Sequence, residues 1–324
     1  MKTRIIYLLI TALCLAGCGS GQGKEVKEVK PLQVEGTKLI AGGEPVTLRG
    51  VSYGWHNIWP RFYNQESVSH LVSDWDVPIV RAAIGADDHA KADNPGIHGG
   101  YSSDPEFALE CLYKVVDGAI ENGAYAIVDW HSHKLHLQEA KSFFAAVATR
   151  YADCPNVIYE LYNEPVDDSW ASLKDYAEQL IPLIDDISNM HPLILMGSPH
   201  WDQDINLPAE DPVTCYDNLM YTVHFYAGTH KGWLRDRCDA ALAAGIPIFI
   251  SECAACEASG DGPMDLDSWN EWNEWAAARG ISLITWSISD KDETCSMFTK
   301  QASAEGPWEA DVIKPWGKIV KDWL

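Results

Sequence analysis

Short apolar runs alternate with longer amphipathic stretches along most of this chain. The short runs are rich in Val, Ile, Tyr and Phe and are bounded by Gly, Pro or Asn, which is how buried strands read. They predict strands at 46–53, 78–85, 124–131, 157–163, 193–197, 219–225, 246–252 and 282–287. Between them, apolar positions recur at helical spacing over 66–75, 105–122, 137–151, 170–190, 231–244, 266–279 and near 309–323. The segment 206–217 is read as irregular. Gly123 and Gly245 stand where glycines close helices. Strands alternating with helices imply a parallel sheet, and eight such units imply a closed (β/α)8 TIM barrel of the α/β class.

Barrels of this kind keep their chemistry at the C-terminal ends of the strands. Those ends carry Arg81 on the second strand, Asp129-Trp130-His131 on the third and Asn163-Glu164 on the fourth. The fifth runs into Ser198-Pro199-His200-Trp201, the sixth ends His224-Phe225-Tyr226, and the seventh gives Glu252. The eighth carries Trp286, followed by Asp290-Lys291-Asp292-Glu293. Polar and aromatic groups therefore crowd one mouth, while the strand interiors stay apolar.

Composition narrows the partners. The 324 residues are 47% hydrophobic, enough for a large core, and carry a net charge of −23 from 47 acidic and 24 basic groups. That balance argues against nucleic acid, whose binding rests on Lys and Arg at phosphates. It leaves a neutral polymer such as a polysaccharide open. The 14 Trp add flat faces for sugar rings, although many such residues serve only packing.

The N-terminus reads as an export signal. Lys2 and Arg4 precede an apolar run over 5–15, too short to span a bilayer as a mature helix. Leu15-Ala16-Gly17-Cys18 then resembles a bacterial lipoprotein signal, with Cys18 as the lipid-carrying residue. Residues 1–17 form the predicted signal, 18–31 a Gly-rich and charged tether, and 32–324 the catalytic barrel domain. Gly19 follows Cys18, so the aspartate cue for inner-membrane retention is absent. The expected location is the outer membrane or cell surface, with a monomer held there by its lipid anchor. Seven further cysteines, at 111, 154, 215, 238, 253, 256 and 295, leave at least one thiol unpaired. Cys253 and Cys256 are read as loop stapling or packing rather than a redox or metal pair.

Two carboxylates on strand ends suit glycosidic bond cleavage, which needs one carboxyl to protonate the leaving oxygen and another at the sugar carbon. Glu164 and Glu252 lie on strands four and seven, nearly across the barrel. A separation of about 5–5.5 Å would mean a retaining mechanism. Arg81 is the best candidate to hold one of them ionised, with Tyr226 as a second donor.

The motifs VRAAIG (80–85), VDWHSH (128–133), VIYELYNEP (157–165), HFYAGTH (224–230), PIFISE (247–252) and ITWSISDKDE (284–293) occur in that order. The chain so resembles glycoside hydrolase family 5, closest to its bacterial endo-β-1,4-glucanases, over nearly the whole mature sequence. The resemblance implies Glu164 as acid/base and Glu252 as nucleophile of a double displacement, supported by Arg81, His131, Asn163, His224 and Tyr226. It implies Asn163 on the sugar 2-hydroxyl, Trp286 under the sugar at the cleavage point, and Trp59, Trp201, Lys291 and Glu293 on neighbouring sugars. It implies no cofactor and no metal. Relatives often carry His where this chain has Gly54, and His56 is assigned to that role through a shifted loop. The loop after Glu252, Cys253-Ala254-Ala255-Cys256, departs from the usual Trp or Phe followed by Gly.

Rival readings are weaker. Glu160 shares strand parity with Glu164 but lies deeper, and reads as a structural carboxylate with Arg49 as one possible partner. His131, His133 and His136 lack the companion motif of a zinc enzyme. Asp87, Asp88, Asp202 and Asp204 offer oxygens for calcium but read as surface acids. Ser251 lacks a nucleophile elbow. The alternatives are a β-glycanase acting on mannan, xyloglucan or mixed-linkage glucan, or a surface protein that binds glycan without cutting it.

Overall fold

The computed structural model describes residues 28–88 and 97–324. The predicted signal 1–17, Cys18 and the tether up to 27 lie outside the described residues. Three short strands, β1 (Leu32–Glu35), β2 (Lys38–Ala41) and β3 (Glu44–Pro45), form a small antiparallel sheet. Eight strands then close a parallel barrel: β4 (Arg49–Tyr53), β5 (Ile79–Gly85), β6 (Tyr125–His131), β7 (Val157–Glu160), β8 (Ile194–Met196), β9 (Leu219–Tyr226), β10 (Ile248–Ala254) and β11 (Leu283–Ile288). Their order follows the chain, and β11 pairs with β4 to close the ring.

All eight predicted strands are present, because each is a run with both faces covered, one by the barrel interior and one by helices. In β5 even Arg81 is fully buried. The main helices are α1 (Gln65–Trp75), α2 (Pro105–Glu121), α3 (Leu137–Arg150), α4 (Trp170–Ile187), α7 (Gly232–Ala243), α8 (Leu266–Arg279) and α9 (Pro315–Trp323). Two short pieces, α5 (Pro199–Asp202) and α6 (Asn206–Glu210), follow β8. Helix starts obey local chemistry: Asn64, Asp104, Ser169 and Asp265 each accept from a backbone N–H of the first turn, a contribution of about 1 kcal/mol apiece. In α8, Trp269, Trp272 and Trp275 recur at one-turn spacing and are buried on one face.

Several features differ from the pattern, most of them element ends. Strand β7 stops at Glu160, so Asn163 and Glu164 stand on the loop beyond it. Their backbone is still tied down, with Asn163 N bonded to Trp130 O at 3.1 Å and Glu164 N to Ser132 O at 3.3 Å. The last helix begins at Pro315, since proline suits a first helical turn. The irregular stretch after β8 contains the short α6. The β1–β3 sheet was not predicted. Its Leu32 and Leu39 join Leu48, Ile79, Tyr125, Ile158, Leu193 and Phe249 in a second apolar cluster among residues at or near the barrel strands' N-terminal ends. Gly36, at φ +61°, makes the tight turn between β1 and β2.

The seven described cysteines are all free thiols. Cys253 and Cys256 are buried, and Cys253 Sγ donates to Ile284 O at 3.3 Å, which is a packing role rather than a staple. No helix among the described residues is long and apolar enough to cross a membrane.

Candidate active site

The site is built around one buried cation. Arg81 leaves β5 with no exposure and distributes its guanidinium among Glu160, Glu252, Asn163, Asp129 and, at 3.4 Å, Ser52 Oγ. Nε donates to Glu160 Oε2 at 2.6 Å, one terminal nitrogen donates to Glu252 Oε2 at 3.0 Å, and the other donates to Asn163 Oδ1 at 2.7 Å and lies 3.0 Å from Asp129 Oδ2. Burial opposes the charge, but Asp129, Glu160 and Glu252 more than offset it, so the arginine pKa is raised. The partner expected for Glu160, Arg49, is elsewhere: it donates to Trp323 O and lies over the Trp323 ring. Arg81 and Ser251 hold Glu160 instead, the latter donating to Oε1 at 2.5 Å.

Glu252 receives a second donor, with Tyr226 Oη bonded to its Oε1 at 2.7 Å. Burial, followed by the nearby Glu252 carboxylate, raises the Tyr226 pKa well above normal, so its hydroxyl stays protonated and donates. In the barrel ladder Glu252 sits directly beside His224. A register shift between Phe249 and Glu252 breaks the alternation of β10. Adjacent residues Ser251 and Glu252 therefore both reach interior groups.

Glu164 faces Glu252. Its Oε1 is bonded to His224 Nδ1 at 2.9 Å and its Oε2 to His133 Nε2 at 3.1 Å. Burial works to raise its pKa, but the hydrogen bonds and charges of His133 and His224 prevail and hold it well below the usual carboxylate range. Burial lowers the His133 pKa, but the hydrogen bond to Glu164 together with the charges of Glu164, Glu252 and Asp87 outweighs that and raises it. Glu252 is shifted upward by burial, with the Glu164 charge adding to it and His224, Arg81 and Tyr226 opposing. The charges alone would thus make Glu164 the easier carboxyl to ionise. The hydrogen bonds give the other ordering: Arg81 is an obligate donor and Tyr226 donates, so both Glu252 oxygens accept and the ionised form of Glu252 is favoured. The imidazoles on Glu164 can accept as well as donate, so Glu164 can carry a proton. A proton on Glu252 would weaken the bonds from both of its donors, so the proton of the pair belongs to Glu164.

Ligand atoms of Glu164, His224 and Glu252 all lie within 4.8 Å of one another. A metal could in principle be offered these three atoms, but each residue is already engaged by its neighbours. The histidines that suggested zinc are likewise taken by carboxylates: His131 by Asp129 at 2.6 Å, His133 by Glu164, and His136 by Asp87 at 3.0 Å.

Around the carboxylates run two cavities. One, of about 550 Å³, is lined by Trp55, Trp59, His131, Trp286, Lys291 and Glu293, among others. The other, of about 540 Å³, lies toward Trp201, Gln203 and His230. His133, Glu164 and Tyr226 border both, so the two halves meet at the carboxylates. Trp286 lies parallel to His131, with ring centroids 5.3 Å apart. Trp201 is 45% exposed and offers its ring to the second cavity. Lys291 and Glu293 are ion-paired on the wall.

One predicted site residue is misplaced. His56 is fully buried, takes the Gly85 N–H on Nδ1 at 3.0 Å and packs toward Phe107. The cleft face belongs to Trp55, edge-on to His131 at 4.2 Å. This follows from two glycines: a Cβ on Gly85 would come within 2.8 Å of Trp55, and one on Gly54 within 2.8 Å of Trp59. Trp55, Asp129, His133 and Asp202 were not singled out for the site from sequence. Asp129 and His133 stand inside a recognised motif, which was the available signal. Asp202, expected at the surface, is fully buried beside His224, at 3.3 Å from its Nε2.

A family model described as cellulase (glycosyl hydrolase family 5) matches residues 39–292. The chain belongs to glycosyl hydrolase family 5. Endoglucanase Z of Dickeya dadantii is 37% identical over 297 residues, covering 89% of this chain and 67% of that protein. An endoglucanase of Clostridium saccharobutylicum is 35% identical, over 90% of this chain and 64% of its own length. The chain thus spans about two thirds of the length of these relatives. Among solved structures, the catalytic domain of Thermobifida fusca endoglucanase Cel5A in complex with cellotetraose superposes with a TM-score of 0.82 at 30% identity, covering 90% of this chain and 96% of that one. Cellulase Cel5C_n gives a TM-score of 0.84 at 34% identity, covering 94% of each chain.

Proposed function

We propose that this family 5 chain is a retaining endo-β-1,4-glucanase that cuts internal bonds of cellulose or β-glucan. The observation that carries the reading is the pair Glu164 and Glu252, with ligand oxygens within 4.8 Å, at the junction of two open cavities. A retaining pair is separated by about 5–5.5 Å. A cleft continuing on both sides of the carboxylates suits an internal bond.

In this reading Glu252 Oε attacks the anomeric carbon as Glu164 passes its proton to the departing oxygen. Glu164 then takes a proton from water, whose oxygen releases the sugar from Glu252. Arg81 and Tyr226 hold the nucleophile ionised and aimed. Asn163 Nδ2 is buried without a partner among the described residues while its Oδ1 is fixed by Arg81, which suits a donor to the sugar 2-hydroxyl. Trp286 supplies the platform at the cleavage point, and Trp59, Trp201, Lys291 and Glu293 bind neighbouring sugars. The cellulase and endoglucanase names of the relatives, and cellotetraose in the Thermobifida fusca complex, support the β-glucan assignment. A lipid anchor on Cys18, outer-membrane or surface location and a monomeric state complete the proposal, resting on the sequence pattern alone.

The test is reducing-end release from carboxymethyl-cellulose, barley β-glucan, glucomannan, galactomannan, xyloglucan and xylan, by wild type and a folded Glu252→Ala variant. Activity on β-1,4-glucans that vanishes in the variant supports the reading. A preference for mannan or xyloglucan would move the substrate, and silence across the panel would favour a glycan-binding protein. Membrane partitioning lost in Cys18→Ser would support the anchor.

A further inference from the structure

Three consecutive non-glycine residues after β8, His200, Trp201 and Asp202, have left-handed backbone at φ +56°, +55° and +61°. L-residues adopt this conformation singly and at a cost, so a run of three needs something to hold it. Asp202 is the holder. Its Oδ1 accepts the Ser198 N–H at 2.8 Å and its Oδ2 accepts the Thr222 hydroxyl at 2.9 Å, from neighbouring β9. Gly197 makes room for it, since a Cβ there would lie 2.5 Å from Asp202 Oδ1. Trp201 N donates to Pro165 O at 2.9 Å, so the turn is also fastened to the loop that bears Glu164.

The same carboxylate lies 3.3 Å from His224 Nε2. The hydrogen bonds around that ring settle its protons. Ser251 donates its hydroxyl hydrogen to Glu160, so Ser251 Oγ accepts from His224 Nε2 at 3.0 Å. In the state in which Glu164 has given up its proton, its carboxylate accepts from Nδ1. Both ring nitrogens therefore carry hydrogen, which makes the ring an imidazolium. The charged groups facing it are the carboxylates of Glu160 on β7, Glu164 beyond β7, Asp202 on α5 and Glu252 on β10. Arg81 is ion-paired with both Glu160 and Glu252. Asp202 has no arginine or lysine partner among the described residues, and burial raises its pKa; the His224 cation opposes that, and the Ser198 N–H, the Thr222 hydroxyl and His224 Nε2 all stand where an ionised carboxylate accepts.

We propose that Asp202 is a positioning residue with two linked tasks: it locks the strained turn that presents Trp201, and its charge keeps His224 protonated against Glu164. The glucan-binding platform and the acid/base are thereby set by one side chain. This rests on the functional reading above for its catalytic consequence, but not for its structural one.

Asp202→Asn keeps an acceptor for Ser198 and removes the charge. Removing a negative charge makes a neighbouring cation easier to deprotonate. The nitrogen resonances of the His224 ring, assigned with His224→Gln, should titrate at least one pH unit lower in Asp202→Asn than in wild type. The alkaline limb of kcat/KM should move acidward by a similar amount. Asp202→Ala also frees the turn. It should raise KM for long β-1,4-glucan oligosaccharides several-fold, as Trp201→Ala does, and the double variant should add little to either. An unchanged His224 titration in folded Asp202→Asn overturns the charge task, and fully additive KM effects overturn the turn task. If wild type cleaved no glycan, the functional reading would fail, while the titration would still decide the role of Asp202, and a crystal structure of Asp202→Ala would show whether Trp201 had moved.

Discussion

Glu160 shows how one buried residue serves stability and chemistry together. It takes Arg81 on one oxygen and Ser251 on the other, with no exposure. In Glu160→Gln one of these donors would meet an amide N–H instead of an acceptor. Breaking a buried pair this way costs about 3–5 kcal/mol, and roughly 2–4 °C of melting temperature is lost per kcal/mol in a chain approaching this size. Urea titration and a thermal scan would read both, with a fall in turnover because Arg81 loses its anchor. Burial raises the Glu160 pKa, but Arg81 and His224 outweigh it and lower it in the fold. A carboxyl with a depressed folded pKa stabilises above its unfolded value and loses that contribution as pH falls through the folded one. Wild type should therefore lose stability on acidification below the ordinary carboxylate range, and Glu160→Gln should lose less over the same window. Glu164→Ala should reduce polysaccharide cleavage by about 10²–10⁴. With an aryl cellobioside whose leaving group needs no proton, the glycosylation step should suffer far less, as a pre-steady-state burst would show. Residue type could not separate Glu160 from Glu164; depth along the strand and the motif around Glu164 ranked them, while the partners that fix the role of Glu160 came only with the fold.

At the scale of elements, α8 supports the strand that carries His224 and Tyr226. Trp272 is fully buried, stacks on Phe225 of β9 at 4.1 Å and donates its Nε1–H to His230 O at 2.9 Å. Trp272→Ala should destabilise the fold by about 3–5 kcal/mol, measured by denaturant unfolding, and should also raise KM, because β9 is left free to shift. The helix itself was legible, since its Trp spacing and its Asp265 and Gly280 ends are local signals. The register shift in β10 was not. Strict alternation predicts that Ser251 and Glu252 face opposite ways, and a bulge is set by pairing with β9, which no local pattern encodes.

For the whole molecule, the β1–β3 sheet closes the end of the barrel opposite the carboxylates. Removing residues up to 45 would uncover Leu48, Ile79, Tyr125, Ile158 and Phe249 to water. At about 25 cal/mol per Å² of apolar area, the expected outcome is a clearly lower melting temperature, with kcat of the folded fraction near wild type. A large loss of kcat at normal stability would show that the sheet reaches the active-site mouth. The sheet escaped the sequence reading because its strands are only two to four residues long, too short to show a period.

The sequence by itself determined the barrel, the order of its strands and the placement of Arg81, Glu164, Tyr226, Glu252 and Trp286 at one mouth. Those facts follow from hydrophobic periodicity and from position along a strand, both local in the chain. Tertiary structure decided what each polar group is bonded to. It put Glu160 on Arg81 rather than Arg49, turned His56 inward and Trp55 toward the cleft, and buried Asp202 against His224. Each outcome joins residues far apart in sequence across strand pairs and loop contacts. A hydrogen bond depends on distance and angle to its partner, and neither is written in the order of the residues.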